Sequence, residues 1–113
     1  MSISSRTVDG VIVLDLAGRI TMGEASVELR NKIRDLVKSG EKSILLNLGE
    51  VSYMDSSGIG ELVSAYASVS SQGGQLKLLN LTRKLHELLA ITKLLTVFDT
   101  YENEKEALQS YRK

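Results

Sequence analysis

Val51–Leu62, VSYMDSSGIGEL, places a turn, two adjacent hydroxyls and a helix start within one short stretch. Val51, Tyr53 and Met54 prolong the apolar run Ile44, Leu45, Leu46, Leu48, and Asp55, Ser56 and Ser57 supply side chains that prefer to cap a helix. Beyond them Ile59, Leu62, Val63 and Tyr66 recur at helical spacing, so a strand and its loop are expected to end where a helix begins. Such a junction exposes N–H groups that the helix itself cannot satisfy, and its partial positive charge favours anions. Capping is the first reading of Asp55-Ser56-Ser57. It does not exclude a second one, because a serine on a helix-start loop is accessible and its phosphate adds about −1.5 to −2 charges at neutral pH.

Working outward, the hairpin signal Asp9-Gly10 separates Ile3–Val8 from Val11–Leu16, which predicts an antiparallel pair. Gly18 is expected to break the second strand, leaving Arg19–Gly23 as a loop. From Glu24 to Lys38 the residues Ala25, Leu29, Ile33, Leu36 and Val37 follow steps of three and four. The intervening Glu28, Arg30, Lys32, Arg34, Asp35 and Lys38 read as a solvated face. Ser43–Leu48 has the near-continuous apolar composition of a strand covered on both sides. The helix after Asp55 is expected to run to about Ser71, with glycines at 73 and 74 for its end, and Gln75–Asn80 to form a further strand. A third helix starts near Thr82 with Leu81, Leu85, Leu88 and Leu89 as its apolar side. Val97 and Phe98 read as a short last strand, and Asn103 as the cap of a closing helix that buries Ala107, Leu108 and Tyr111. Strands alternating with helices imply right-handed βαβ crossovers, hence an α/β fold: a mixed, mostly parallel sheet with an antiparallel N-terminal hairpin and about four helices packed against it. In open sheets of this kind sites lie at the carboxyl ends of strands, where the Asp55 loop falls.

The chain has 113 residues, the size of one domain, spanning residues 1–113. Its 14 basic and 14 acidic residues cancel, so no net field draws it to nucleic acid or to an anionic membrane, and any partner must be recognised by a local surface. Without cysteine there are no disulfides or thiolate sites. No apolar run approaches the about 18 residues of a membrane span, and the first residues lack the pattern of a secretory signal; the expectation is a soluble, cytoplasmic protein.

Catalytic groups are scarce. The single histidine, His86, lies mid-helix between Leu85 and Glu87 and reads as a surface or boundary residue. No metal-ligand spacing is found, and Gly58 and Gly60 give only G-x-G, without the downstream residues of a nucleotide-binding loop. The five aromatic residues are too scattered for a base-stacking platform. The expectation is a protein that is not an enzyme and has no cofactor and no metal.

IVLDLAGRI, ILLNLGEVSYMDSSGIGEL, QGGQLKLLNLT and the leucine-rich third helix followed by VFD together resemble the STAS-domain family of bacterial anti-sigma factor antagonists over nearly the whole length. The specific part is the middle run, in which an apolar strand, a short loop and D-S-S-G-x-G before an amphipathic helix form one unit. The resemblance implies partner switching. Unphosphorylated members bind a serine kinase that also acts as an anti-sigma factor, which frees the sigma factor; the kinase phosphorylates the serine after the motif aspartate, and a PP2C-type phosphatase reverses this. By motif position the phosphoacceptor is Ser56, set among Asp55, Ser57 and Gly58. Antagonists often carry G-x-L-D in the loop after the hairpin, whereas this chain has Gly18-Arg19-Ile20-Thr21, so Thr21 stands where a permanent charge is usual.

The expected partner surface comprises Thr21, Asp55, Ser56, Ser57, Gly58, Gly60, Glu61 and Ser64, with Ser68 and Ser71 further along the same side of the helix. A helical wheel points Ser57 outward more clearly than Ser56, but a wheel does not apply at a cap, and the motif position favours Ser56. A phosphate there is expected to act at the interface, by repulsion with Asp55 and Glu61, and not by melting the domain. Two other readings stay open: an unswitched STAS scaffold or adaptor in a lipid-transport or stress-sensing assembly, and a small enzyme or ligand binder on the same fold.

Overall fold

Asp9 and Gly10 both adopt left-handed backbone, with φ of 51° and 80°. A two-residue hairpin turn needs that pair of conformations, and here it folds β1 (Ser2–Val8) back on β2 (Val11–Ile20). The structure, a computed structural model, describes residues 1–112; the expected domain runs on to Lys113, which lies outside the described residues. After the hairpin come α1 (Glu24–Lys38), β3 (Ser43–Met54), α2 (Ser56–Ser71), β4 (Gln75–Leu79), α3 (Arg83–Ile91), β5 (Thr100–Tyr101) and α4 (Glu104–Gln109). The five strands form one sheet in the order β1-β2-β3-β4-β5, antiparallel at its first pair and parallel at the other three. The expected class therefore holds. Among the described residues no helix is long and apolar enough to cross a membrane.

Alternation along the strands divides the core in two. Ile12, Leu14, Leu16, Ile44, Leu46, Leu76 and Leu78 face α1, α2 and α3, which add Leu29, Ile33, Leu62, Val69, Leu85 and Leu89. On the other side Val11, Val13, Leu45 and Leu79 receive Ala107 and Leu108 of the short α4. Polar anchors hold that helix down. Buried Lys77 donates from Nζ to the Ser110 carbonyl at 3.1 Å and to its hydroxyl at 2.9 Å, satisfying the helix C-terminus. Arg6 pairs with Asp15 across the hairpin at 2.7 Å and with Glu104 at the start of α4, and its guanidinium pulls both carboxyls below their ordinary range. Tyr111, expected to be buried, is half-buried and donates its hydroxyl to the Ile44 carbonyl.

Three boundaries differ from expectation. Gly18 does not end β2; at φ 95° it makes an irregularity in the ladder, after which Arg19 and Ile20 pair with Tyr53 and Met54. β3 likewise runs on past Leu48 to Met54, because the extended β2 gives it a partner. Val97 and Phe98 are not the last strand: the ladder with β4 is made by Thr100 and Tyr101, while Phe98 is buried with its ring 5.3 Å from Tyr66, edge to face. Apolar character there marks a side chain that plugs the space under α2, which a strand signal in sequence cannot distinguish. Phe98→Ala should accordingly cost about 3–5 kcal/mol, and Val97→Ala, 38% exposed, less than about 0.5 kcal/mol; urea denaturation of the two variants checks this.

Candidate protein-interaction site

β4 ends opposite Asn47, yet β2 and β3 continue side by side as far as Ile20 and Met54. The extension carries the loop after β2 and the loop before α2 to the same place. Asp55 joins them. Its backbone N–H donates to the Ile20 carbonyl at 3.4 Å, and its carboxylate accepts from Met22 N–H at 2.9 Å and from Gly58 N–H at 3.1 Å. Its own carbonyl takes the Ile59 N–H at 3.0 Å, the first bond of α2. The expected cap is thus present, in extended backbone at φ −95° and ψ −173°, and it also fastens a second loop. The Met22 N–H, followed by burial acting in the opposite sense and by the Gly58 N–H, holds the Asp55 carboxyl below its ordinary range.

Ser56 is exposed and Ser57 is half-buried, the reverse of what a helical wheel gives. The wheel presumes helical backbone on both sides of a residue, and Asp55 is extended. Gly60 and Ser64 are exposed, Gly58 is buried, and Thr21 is half-buried with its carbonyl accepting from Ser26 N–H at 3.3 Å. Met22, which sequence reasoning did not single out, is 78% exposed beside them. Its isolated position in a loop carries no periodic signal.

Glu61 requires a correction. It does not stand with the serines on the open side of α2; its side chain is 10% exposed and is gripped by Arg30 of α1, Nη2 to Oε1 at 2.7 Å and Nε to the two oxygens at 3.1 and 3.2 Å. Arg30 stays on the exposed face of α1, as expected, but its guanidinium is committed to Glu61. The buried side of α2 is Gly58, Ile59, Glu61, Leu62, Ala65 and Val69, and Val63, expected in the apolar stripe, is 37% exposed. Two residues on separate helices give no local pattern that foretells their contact. Among the described residues no three His, Cys, Asp or Glu side chains gather in a way that could hold a metal ion.

A family model described as STAS domain matches residues 2–107. The chain belongs to the STAS-domain family. It is similar to the anti-sigma-B factor antagonist of Bacillus subtilis, 38% identical over 98 residues that cover 87% of this chain and 88% of that protein. It is also similar to the anti-sigma F factor antagonist of Paenibacillus polymyxa, 26% identical over 100 residues, 88% of this chain and 85% of the other. The crystal structure of a candidate anti-sigma factor antagonist from Thermotoga maritima superposes with a TM-score of 0.92 at 26% identity, covering 98% of this chain and 95% of that one.

The two glycines of this STAS domain's DSSG-x-G run have different reasons. A Cβ on Gly58 would lie 2.4 Å from Met54 Cγ and 2.5 Å from the Ile20 carbonyl oxygen, so the close approach of α2 to the β2–β3 extension requires glycine. A Cβ on Gly60 would meet nothing within 4 Å. Gly58→Ala should therefore destabilise by about 1–3 kcal/mol, whereas Gly60→Ala should stabilise by roughly 0.5–1 kcal/mol through helix propensity, both read from denaturant midpoints.

Acid should loosen the same junction. A carboxyl whose folded pKa is depressed adds stability that is complete above its unfolded pKa and disappears as pH falls through the folded value. For Asp55 that loss begins near the ordinary carboxylate range, about pH 4–5, and continues below it. Asp55→Asn, which keeps a capping oxygen and cannot titrate, should show a shallower fall in stability over this window in denaturation curves taken at successive pH values.

Proposed function

We propose that this STAS domain is an anti-sigma factor antagonist that switches partners through reversible phosphorylation of Ser56. The observation that carries the reading is an exposed Ser56 hydroxyl at the first residue of α2, directly after a capping aspartate that fixes the surrounding loops. Its similarity to antagonists of sigma-B and sigma F systems supplies the class of partner. In this reading the unmodified domain binds a serine kinase that is also an anti-sigma factor, so that the sigma factor is freed. The kinase then transfers phosphate to Ser56, and a PP2C-type phosphatase removes it.

The geometry accounts for a switch without unfolding. A phosphate on Ser56 sits at a helix N-terminus, where the dipole favours negative charge, and the core residues Ile59 and Leu62 behind it are not disturbed. The partner instead meets a group of about −1.5 to −2 charges next to the Asp55 carboxylate. Glu61 adds nothing to that repulsion, because Arg30 neutralises it. A penalty of about 3 kcal/mol from like charge and desolvation, within the ordinary range for such contacts, already weakens binding roughly 100-fold.

Mixing the purified domain with the serine kinases of its own genome, in ADP and in ATP, tests this. One kinase should form a complex in ADP and lose it in ATP as phosphate appears on Ser56 by peptide mapping. Ser56→Ala should stay bound in both nucleotides, and Ser56→Asp should bind about 100-fold more weakly or worse. Equal retention of the same companions by the Ala and Asp variants overturns the switch and leaves the unswitched scaffold.

A further inference from the structure

Between α1 and α2 runs an open groove of 240 Å³. Ile33, Val37 and Ala65 form its apolar floor, and the hydroxyls of Ser64 and Ser68 form a low wall on the α2 side. One turn earlier on both helices the Arg30–Glu61 pair closes it. The opposite wall is Arg34. Arg30, Arg34 and Lys38 follow one another at i, i+4 spacing and so share one side of α1. Arg30 is satisfied by Glu61, but Arg34 and Lys38 are exposed, and among the described residues neither forms an ion pair. Glu61 is the one acidic residue of α2, so Arg34 on the groove wall, with Lys38 one turn beyond the lining, gives this flank of the protein a positive charge that α2 does not offset.

The size of the groove decides what class of partner suits it. Small-molecule pockets enclose about 300–1,000 Å³ and most of the ligand's surface; this one is smaller and open, and matches one or two apolar side chains projecting from another protein. Its position ties it to the switch. Ser56, Gly60, Ser64 and Ser68 are spaced by four along α2, all exposed, so a partner that covers Ser56 meets the groove two turns further on.

We propose that the α1–α2 groove receives an acidic amphipathic helix of the protein whose binding Ser56 controls, its apolar side chains resting on Ile33, Val37 and Ala65 and its carboxylates meeting Arg34 and Lys38. This rests on the partner-switching reading and adds to it where the partner lies and which charge it bears. The division of labour is physical: rim charges raise the association rate and set the salt dependence, while the Ser56 end decides release.

The test uses the full chain and the same panel of genomic serine kinases, with association and dissociation rates measured at several salt concentrations. Arg34→Glu/Lys38→Glu should weaken kinase binding about 10-fold or more, chiefly through slower association, and flatten its salt dependence. Arg34→Ala/Lys38→Ala should fall between, and thermal melts should show each variant folded. An equal reversal at exposed Lys93 and Lys105, away from the groove, should change binding little. The groove assignment is overturned if the Arg34/Lys38 reversal binds with unchanged rates and salt dependence, or if the Lys93/Lys105 control is weakened as much, while Ser56→Asp still fails to bind; the switch itself then stands. If no kinase binds the wild-type domain, the switch and the groove assignment fall together.

Discussion

The hydrogen bonds to the Asp55 carboxylate are the constraint on which the Ser56 end of this domain depends. One oxygen takes the Gly58 N–H and so begins α2; the other takes the Met22 N–H and so fixes the loop after β2. Neither task could be done at a distance. They meet in one side chain because β2 and β3 remain paired up to Ile20 and Met54, and because Gly58 lets α2 start against the Ile20 carbonyl without a Cβ in the way. Strand extension, capping and close approach are thus one arrangement, and Ser56 is the exposed residue it presents.

Several carboxylates of the domain are taken up by arginines. Glu61 belongs to Arg30, and Asp15 and Glu104 belong to Arg6. With Glu61 paired, Asp55, the residue before Ser56, is the acid that a phosphate there would reinforce. On the outer side of α1, Arg34 and Lys38 are exposed cations that form no ion pair among the described residues. Under the proposed switch, a surface with a switchable negative end and a steady positive flank would attract a partner along one part and release it from another, which separates association from release.

The relation to antagonists of sigma-B and sigma F systems extends over most of each chain, and the superposition with the Thermotoga maritima structure shows that the shared fold includes both layers of helices. Thr21 lies in the loop after β2, half-buried, with its carbonyl accepting from Ser26 N–H. Next to it Met22 is highly exposed and is tethered through its backbone N–H to the Asp55 carboxylate, so an apolar side chain is presented beside the start of α2.

The order of strands and helices, the Asp9-Gly10 turn and the caps at Asp55, Thr82 and Asn103 were legible from sequence because each is a local property: a dihedral preference, a short-range hydrogen bond, a repeat of apolar residues along one segment. The choice of Ser56 over Ser57 rests on the motif position, since a helical wheel does not apply at a cap. What lay beyond reach was every feature created by segments meeting. Gly18 has the sequence signature of a strand end, and only pairing with β3, with a shift of register there, carries the strand past it. Val97 and Phe98 have strand composition, and only the space under Tyr66 makes Phe98 a plug. Glu61 and Arg30 each look like solvated charges on their own helices, and become an ion pair that buries Glu61 because two parallel crossovers place α1 beside α2. Local energetics are written in the order of residues; the environment of a side chain is written in what the rest of the chain brings to it, and a single sequence carries that information only after it has folded.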